Sequence, residues 1–155
     1  MKSFISLSQK TTIDFGAKLS QSLKGGDILL LYGDLGAGKT TLVKGIAAGL
    51  GIKKEITSPT FALLNLYKLK ANKSKLEALV HIDTYRLKNE QELIDIGAED
   101  YLGAPGTVCV IEWPEKIEGL LKSIRQRRIG LWPKKINIEH ADEKKRKIII
   151  KAGKA

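Results

Sequence analysis

The residues Gly33-Asp34-Leu35-Gly36-Ala37-Gly38-Lys39-Thr40 satisfy the pattern G-x-x-x-x-G-K-[ST], and Thr41 follows as a second hydroxyl. The chemistry of that spacing is phosphate capture. Glycines at 33, 36 and 38 carry no Cβ, so successive backbone N–H groups can turn inward and close on an anion. A helix beginning at Lys39 points the positive end of its dipole at the same spot. Lys39 adds a cation for the β- and γ-phosphates, and the Thr40 hydroxyl is a ligand type for Mg²⁺.

Phosphoryl-transfer chemistry also needs an acidic group for the metal or its water, and a group that orients the attacking water. Two apolar runs end in a carboxylate: Leu79-Val80-His81-Ile82-Asp83, which resembles a Walker B strand, and Val108-Cys109-Val110-Ile111-Glu112. Carboxylates at the C-terminal ends of parallel strands share the sheet edge that carries a phosphate loop. Between loop and first carboxylate lies Thr57-Ser58-Pro59-Thr60-Phe61. Its hydroxyls suit a switch segment that meets a γ-phosphate or its metal, or else a plain Pro-containing turn.

The elements that must position these groups are legible in outline. Residues 28–32 are continuously apolar, as in a parallel strand buried on both faces. Residues 41–50 place Leu42, Val43, Ile46, Ala47 and Leu50 on one helical stripe, with Gly51 as the stop. Upstream, residues 4–7 read as a short strand. Thr11 or Thr12 then caps a helix carrying Asp14 in its first turn and Phe15, Leu19 and Leu23 at helical spacing. Residues 60–69 are β-prone, 70–75 suit a hairpin turn, and 76–82 and 108–111 read as strands. Asn89 caps a short helix before Gly97. Residues 125–128 read as a loop-rich basic stretch, and 136–139 and 147–150 as short strands around a charged turn at 141–146. The expected architecture is a single α/β domain over residues 1–155, with 116–155 its basic C-terminal portion. It is a P-loop NTPase-like three-layer fold: a mostly parallel central sheet with antiparallel additions.

Composition narrows the function classes. The apolar share of 43% over 155 residues suits a globular chain with a core. One cysteine, Cys109, rules out a disulfide framework within the chain and makes a reducing cytoplasm the expected compartment. Apolar runs are too short to span a bilayer. No His/Cys spacing fits a zinc site. His81, inside a strand, reads as a packed core residue, and Cys109 as an inert buried thiol. The net charge is +10, and after Trp113 thirteen Lys and Arg face only five Asp and Glu. That excess suits RNA, an acidic protein surface or a nucleotide, or simply solubility. Arg125, Arg127 and Arg128 fit a solvated loop, an arginine supplied to phosphates, or an RNA face. Tyr85 and Arg86 fit a nucleotide or partner contact, or a cap on the sheet. Trp132-Pro133 fits loop packing.

In chain order, the 33–41 loop, Ser58-Pro59-Thr60-Phe61, His81-Ile82-Asp83-Thr84-Tyr85-Arg86 and Ile111-Glu112-Trp113-Pro114 together resemble the bacterial TsaE family. The likeness runs from about Ser3 to Lys116. That family supplies the ATPase component for threonylcarbamoyl modification of adenosine in tRNA. The resemblance implies ATP and Mg²⁺ as cofactors, with Asp34, Leu35, Gly36, Ala37, Gly38, Lys39, Thr40 and Thr41 on the nucleotide. It implies Lys39, Asp83 and Glu112 as catalytic groups, and Thr40 and Glu112 on the metal. Thr60 and Phe61 would lie in a switch-like segment, Trp113 beside the site, and Thr11 or Thr12 near the adenine. It names TsaB and TsaD as partners, with tRNA reached through their complex. Two other readings share the loop: a small-molecule or nucleotide kinase, and a nucleotide-gated binding module without catalysis. The chain shows no separate acceptor segment or lid helix for the first, and two strand-end carboxylates argue against the second.

Overall fold

The computed structural model describes residues 2–70, 75–128 and 130–153. Its strands are β1 (Lys2–Ser6), β2 (Ile28–Tyr32), β3 (Leu64–Lys68), β4 (Ala78–Asp83), β5 (Thr107–Glu112), β6 (Lys134–His140) and β7 (Arg146–Lys151). They form one sheet in the order β1-β7-β6-β2-β5-β4-β3. The central strands β6, β2, β5 and β4 run parallel, and the pairs β1/β7, β6/β7 and β3/β4 are antiparallel. This is the expected α/β fold with antiparallel additions at both margins.

Strand alternation sorts the central residues into two cores. Leu29, Leu31, Leu79, Val108 and Val110 face one side with Leu42, Val43 and Ile46 of α2 (Lys39–Gly49). Phe15 and Leu19 of α1 (Gln9–Ser20) pack against the same core. Ile28, Leu30, Val80, Ile82, Cys109 and Ile111 face the other. There they meet Leu93 of α3 (Gln91–Asp95) and Leu120, Leu121 and Ile124 of α4 (Glu118–Arg127). The result is three layers, helices over both faces of the sheet. Each fully buried Leu or Ile contributes about 1.5–3 kcal/mol of apolar transfer, which is why these unbroken runs settle in the centre.

Several expected boundaries move. The cap of α1 is Ser8, not Thr11 or Thr12: extended Ser8 accepts the Thr11 N–H at 3.2 Å, while the Thr12 hydroxyl is shared with Ser6 at 2.7 Å. Asp14 is engaged by Lys10 instead. Asn89 does not cap α3. Glu90 holds that position, and its carboxylate accepts the Gly119 N–H at the start of α4, 2.8 Å away. The basic stretch at 125–128 is the end of a helix rather than a loop, because buried Leu120, Leu121 and Ile124 hold α4 to the sheet. β3 starts at Leu64 because the chain first turns, Leu63 N–H donating to Pro59 O at 2.6 Å with Leu63 at φ 63°. β6 and β7 are longer than expected, since β7 pairs on both sides, with β6 and with β1. The hairpin turn expected at 70–75 falls largely on 71–74, outside the described residues. Among the described residues, no helix is long and apolar enough to cross a membrane.

Candidate functional site

The glycine-rich loop joins β2 to α2 with Gly33, Gly36 and Gly38 at φ 144°, 77° and 104°. These are conformations that L side chains rarely adopt. Gly33 is also sterically required, since a Cβ there would meet Ile138 O at 2.4 Å. Lys39 opens α2 and is only 4% exposed. Its ammonium donates to Gly33 O and Asp34 O, at 2.5 and 2.9 Å. It also lies 3.8 Å from the centroid of the Trp113 ring. Burial pulls the Lys39 pKa below its usual value, and Glu112, Asp83, Glu115 and Asp34 partly oppose that effect.

The two strand-end carboxylates are direct neighbours in the sheet, because Asp83 of β4 pairs in register with Glu112 of β5. Both fall on the face of the sheet that α2 covers, as do Leu79, His81, Val108 and Val110 by alternation. The Thr40 hydroxyl therefore reaches Glu112 Oε1 at 2.8 Å. The same oxygen meets His81 Nε2 at 2.8 Å from below. His81 is buried, and its Nδ1 has no hydrogen-bond partner among the described residues. That pattern assigns the ring proton to Nε2, donating to the carboxylate.

Asp83 gathers the loop ahead of β3. Its Oδ2 accepts the hydroxyls of Ser58 and Thr60, the latter at 2.9 Å, and its Oδ1 accepts the Tyr85 N–H at 2.9 Å. Phe61, next in the loop, is 85% exposed beneath the Arg86 guanidinium, 4.4 Å away. Trp113 takes a left-handed backbone at φ 60°, which turns its ring over Lys39 and against Tyr85. A cavity of about 320 Å³ opens between these walls: loop and α2 on one side, Ser58 and Thr60 on another, the strand ends at the floor.

Of the residues singled out in the sequence, Leu35, Gly36, Gly38, Lys39, Thr40, Thr41, Thr60, Asp83 and Glu112 line that cavity. Asp34 takes part through its carbonyl, and Ala37 is buried in the core behind the loop. Thr11 does not line it; on α1 its hydroxyl is shared with Ser8. Ser58 and Tyr85 line the cavity as well. The sequence offered the Ser58 hydroxyl to a γ-phosphate or its metal or to a plain turn, and Tyr85 to a nucleotide, a partner or the end of the sheet. Arg146 was not foreseen: its Nε donates to Ala37 O at 3.1 Å across 109 positions of chain. No local motif announces such a contact. Among the described residues no three or more His, Cys, Asp and Glu gather into a metal cage. The oxygen set of Thr40, Glu112 and Asp83 instead suits Mg²⁺, which keeps waters and takes one or two carboxylates together with substrate phosphates.

A glycine loop between a buried strand and a helix, with paired strand-end carboxylates beside it, defines an α/β protein of the P-loop NTPase type. Residues 6–148 match the family described as threonylcarbamoyl adenosine biosynthesis protein TsaE. Among curated relatives, tRNA threonylcarbamoyladenosine biosynthesis protein TsaE of Treponema pallidum is 43% identical over 113 residues, 73% of this chain and 78% of that one. The protein of the same name from Bacillus subtilis is 44% identical over 110 residues, 70% of this chain and 65% of its own. The crystal structure of Bacillus subtilis YdiB superposes with a TM-score of 0.71 at 29% identity, covering 99% of this chain and 86% of that one. The chain belongs to the TsaE family.

Proposed function

We propose that this protein is the ATP-binding and ATP-hydrolysing subunit for threonylcarbamoyladenosine modification of tRNA. In this role it couples Mg-ATP binding and hydrolysis to the TsaB–TsaD transfer machinery in the cytoplasm. The observation that carries the reading is the convergence of Lys39, Thr40, Glu112 and Asp83 on one cavity at the mouth of the glycine loop. The loop N–H groups and Lys39 would bind the β- and γ-phosphates, and Thr40 and Glu112 would hold the metal. Magnesium would supply charge neutralisation at those phosphates. Asp83 tethers Ser58 and Thr60 beside the cavity and would hold a water of the metal. The relatives' printed name, tRNA threonylcarbamoyladenosine biosynthesis protein TsaE, supports a role in that biosynthesis. In this reading the tRNA is reached through the complex.

Such a small site leaves charge at the γ-phosphate to be stabilised by partner groups, which can raise phosphoryl transfer by orders of magnitude. Hydrolysis by the isolated chain is slow and rises with TsaB and TsaD. The test is phosphate release from Mg-ATP by the protein alone and with the purified pair, with and without tRNA. Stimulation by the pair supports the coupling role. Fast release that the pair leaves unchanged points to a free-standing ATPase.

A further inference from the structure

We infer that Arg146, on the C-terminal hairpin, is a positioning residue for the phosphate-binding loop. The inference rests on the proposed nucleotide site and extends it to the β6/β7 hairpin, a part of the chain with no motif of its own.

Arg146 is the first residue of β7. Its Nη1 is held by the carbonyls of the hairpin turn, Asp142 at 3.4 Å, Glu143 at 3.3 Å and Lys145 at 3.0 Å. The turn is itself fixed: the Asp142 carboxylate accepts the Lys144 and Lys145 N–H groups at 2.9 and 2.8 Å. So held, the guanidinium presents Nε to Ala37 O at 3.1 Å. The planar guanidinium meets the turn through Nη1 and the loop through Nε, two nitrogens held in one rigid fork.

The peptide that Arg146 grips is the one between Ala37 and Gly38. The chain has no cis peptide among its described residues, so the Ala37 C=O and the Gly38 N–H point in opposite directions. Drawing the carbonyl outward to Arg146 aims the Gly38 N–H the other way, and Gly38 lines the phosphate cavity. Gly38, at φ 104°, is free to rotate in a way that other residues are not. The bond therefore fixes an orientation that the backbone alone leaves open. A second contact from the same hairpin supports the reading: Ile138 O stands where a Cβ on Gly33 would fall, 2.4 Å away. The hairpin thus braces both ends of the loop. Arg146 does not line the cavity, so it acts through Gly38 and not on the nucleotide.

The experiment titrates ATP into wild-type protein, Arg146→Met, Arg146→Lys and Asp142→Ala, and records the Gly38 amide resonance and thermal unfolding of each. Arg146→Met keeps the stem without donors. It is expected to stay folded, shift the Gly38 amide and weaken ATP binding about tenfold, the value of one charge-assisted hydrogen bond. Turnover at saturating ATP is expected to change less than affinity. Arg146→Lys should recover part of the loss. Asp142→Ala loosens the turn that holds the guanidinium but leaves the guanidinium in place, so it should show a smaller loss of affinity and a smaller Gly38 shift than Arg146→Met. Wild-type affinity in folded Arg146→Met overturns the inference, and so does a loss of affinity with the Gly38 amide unmoved, which would mark a merely structural role. Should the methionine variant fail to fold, Arg146→Lys decides alone: a few-fold loss with a shifted Gly38 amide supports the brace, and unchanged affinity overturns it. If the wild-type protein itself does not bind ATP, the proposed function falls together with the inference. If it binds and Arg146→Met binds equally well, only the brace falls.

Discussion

Thr40 and Glu112 lie 72 positions apart and share a hydrogen bond of 2.8 Å. The sheet makes that meeting, because β2 and β5 are parallel neighbours and pair Leu31 with Glu112. The loop that follows β2 then returns Thr40 over the end of β5. Glu112 Oε1 also accepts from His81, so one oxygen is held from the helix above and the strand beside it.

Glu112→Gln is expected to retain nucleotide and lose hydrolysis by roughly a hundredfold, the scale seen when one preorganised polar group is lost at a reacting centre. The amide keeps the shape but carries no charge for a metal, and if its nitrogen takes the Oε1 position it turns a donor toward Thr40 and His81. Single-turnover phosphate release, with ATP affinity measured separately, checks this. Full partner-stimulated turnover in the mutant would remove Glu112 from the proposed role.

Asp83→Ala is expected to free the loop that Asp83 now holds. Ser58 and Thr60 both lose their acceptor, while Phe61 is already 85% exposed. Chymotrypsin cleavage after Phe61 should accelerate about tenfold, in line with the loss of hydrogen bonds to a charged group. Cleavage at the wild-type rate would show that the loop is held by something other than Asp83.

Cys109 gives a pH prediction away from the site. Burial, partly opposed by the Gly103 backbone and Arg128, pushes its thiol up to about 12. Its Sγ also donates to Tyr101 O at 3.2 Å. The native thiol should stay unreactive toward iodoacetamide at pH 8.5 and react once urea unfolds the chain. Because the folded value lies above the unfolded 9.0, the contribution to stability is complete below pH 9. It is lost as pH rises from there towards 12. Rapid labelling of the folded protein would contradict this environment.

The cavity was largely legible in the sequence because each of its parts is local. The glycine spacing, the apolar runs into Asp83 and Glu112, and the hydroxyls at Ser58 and Thr60 each carry their meaning within a few residues. Alternation then joins them, since His81, Asp83 and Glu112 fall on the side of Leu79 and Val110, where α2 packs. What the sequence hid is non-local or competitive. Ser8 outcompetes Thr11 and Thr12 as a cap because Thr12 turns to Ser6, a tertiary choice. The charged run at 125–128 masks a helix whose only apolar signal is Leu120, Leu121 and Ile124. The grip of Arg146 on Ala37 depends on the hairpin register, which no motif encodes.

Lys39 carries the last prediction. Its ammonium is buried between Gly33 O, Asp34 O and the face of Trp113, and burial lowers its pKa from 10.5. The protonated form is the one that binds phosphate. ATP affinity should therefore hold at neutral pH and fall as pH rises through the lowered pKa, before an ordinary lysine would titrate. Stability without nucleotide moves the other way. The folded chain binds the proton less tightly than the unfolded chain, so Lys39 adds stability as pH climbs through that window, and the gain is lost again as pH falls. Lys39→Met should abolish both trends and weaken ATP binding by roughly a hundredfold, the loss of a charge-assisted contact with phosphate. Calorimetric titration and thermal melts between neutral pH and pH 10, on wild type and mutant side by side, read out the two trends. Equal ATP affinity in folded Lys39→Met would refute the phosphate-loop assignment. Affinity and stability falling together in the wild type would show that another group sets the pH dependence.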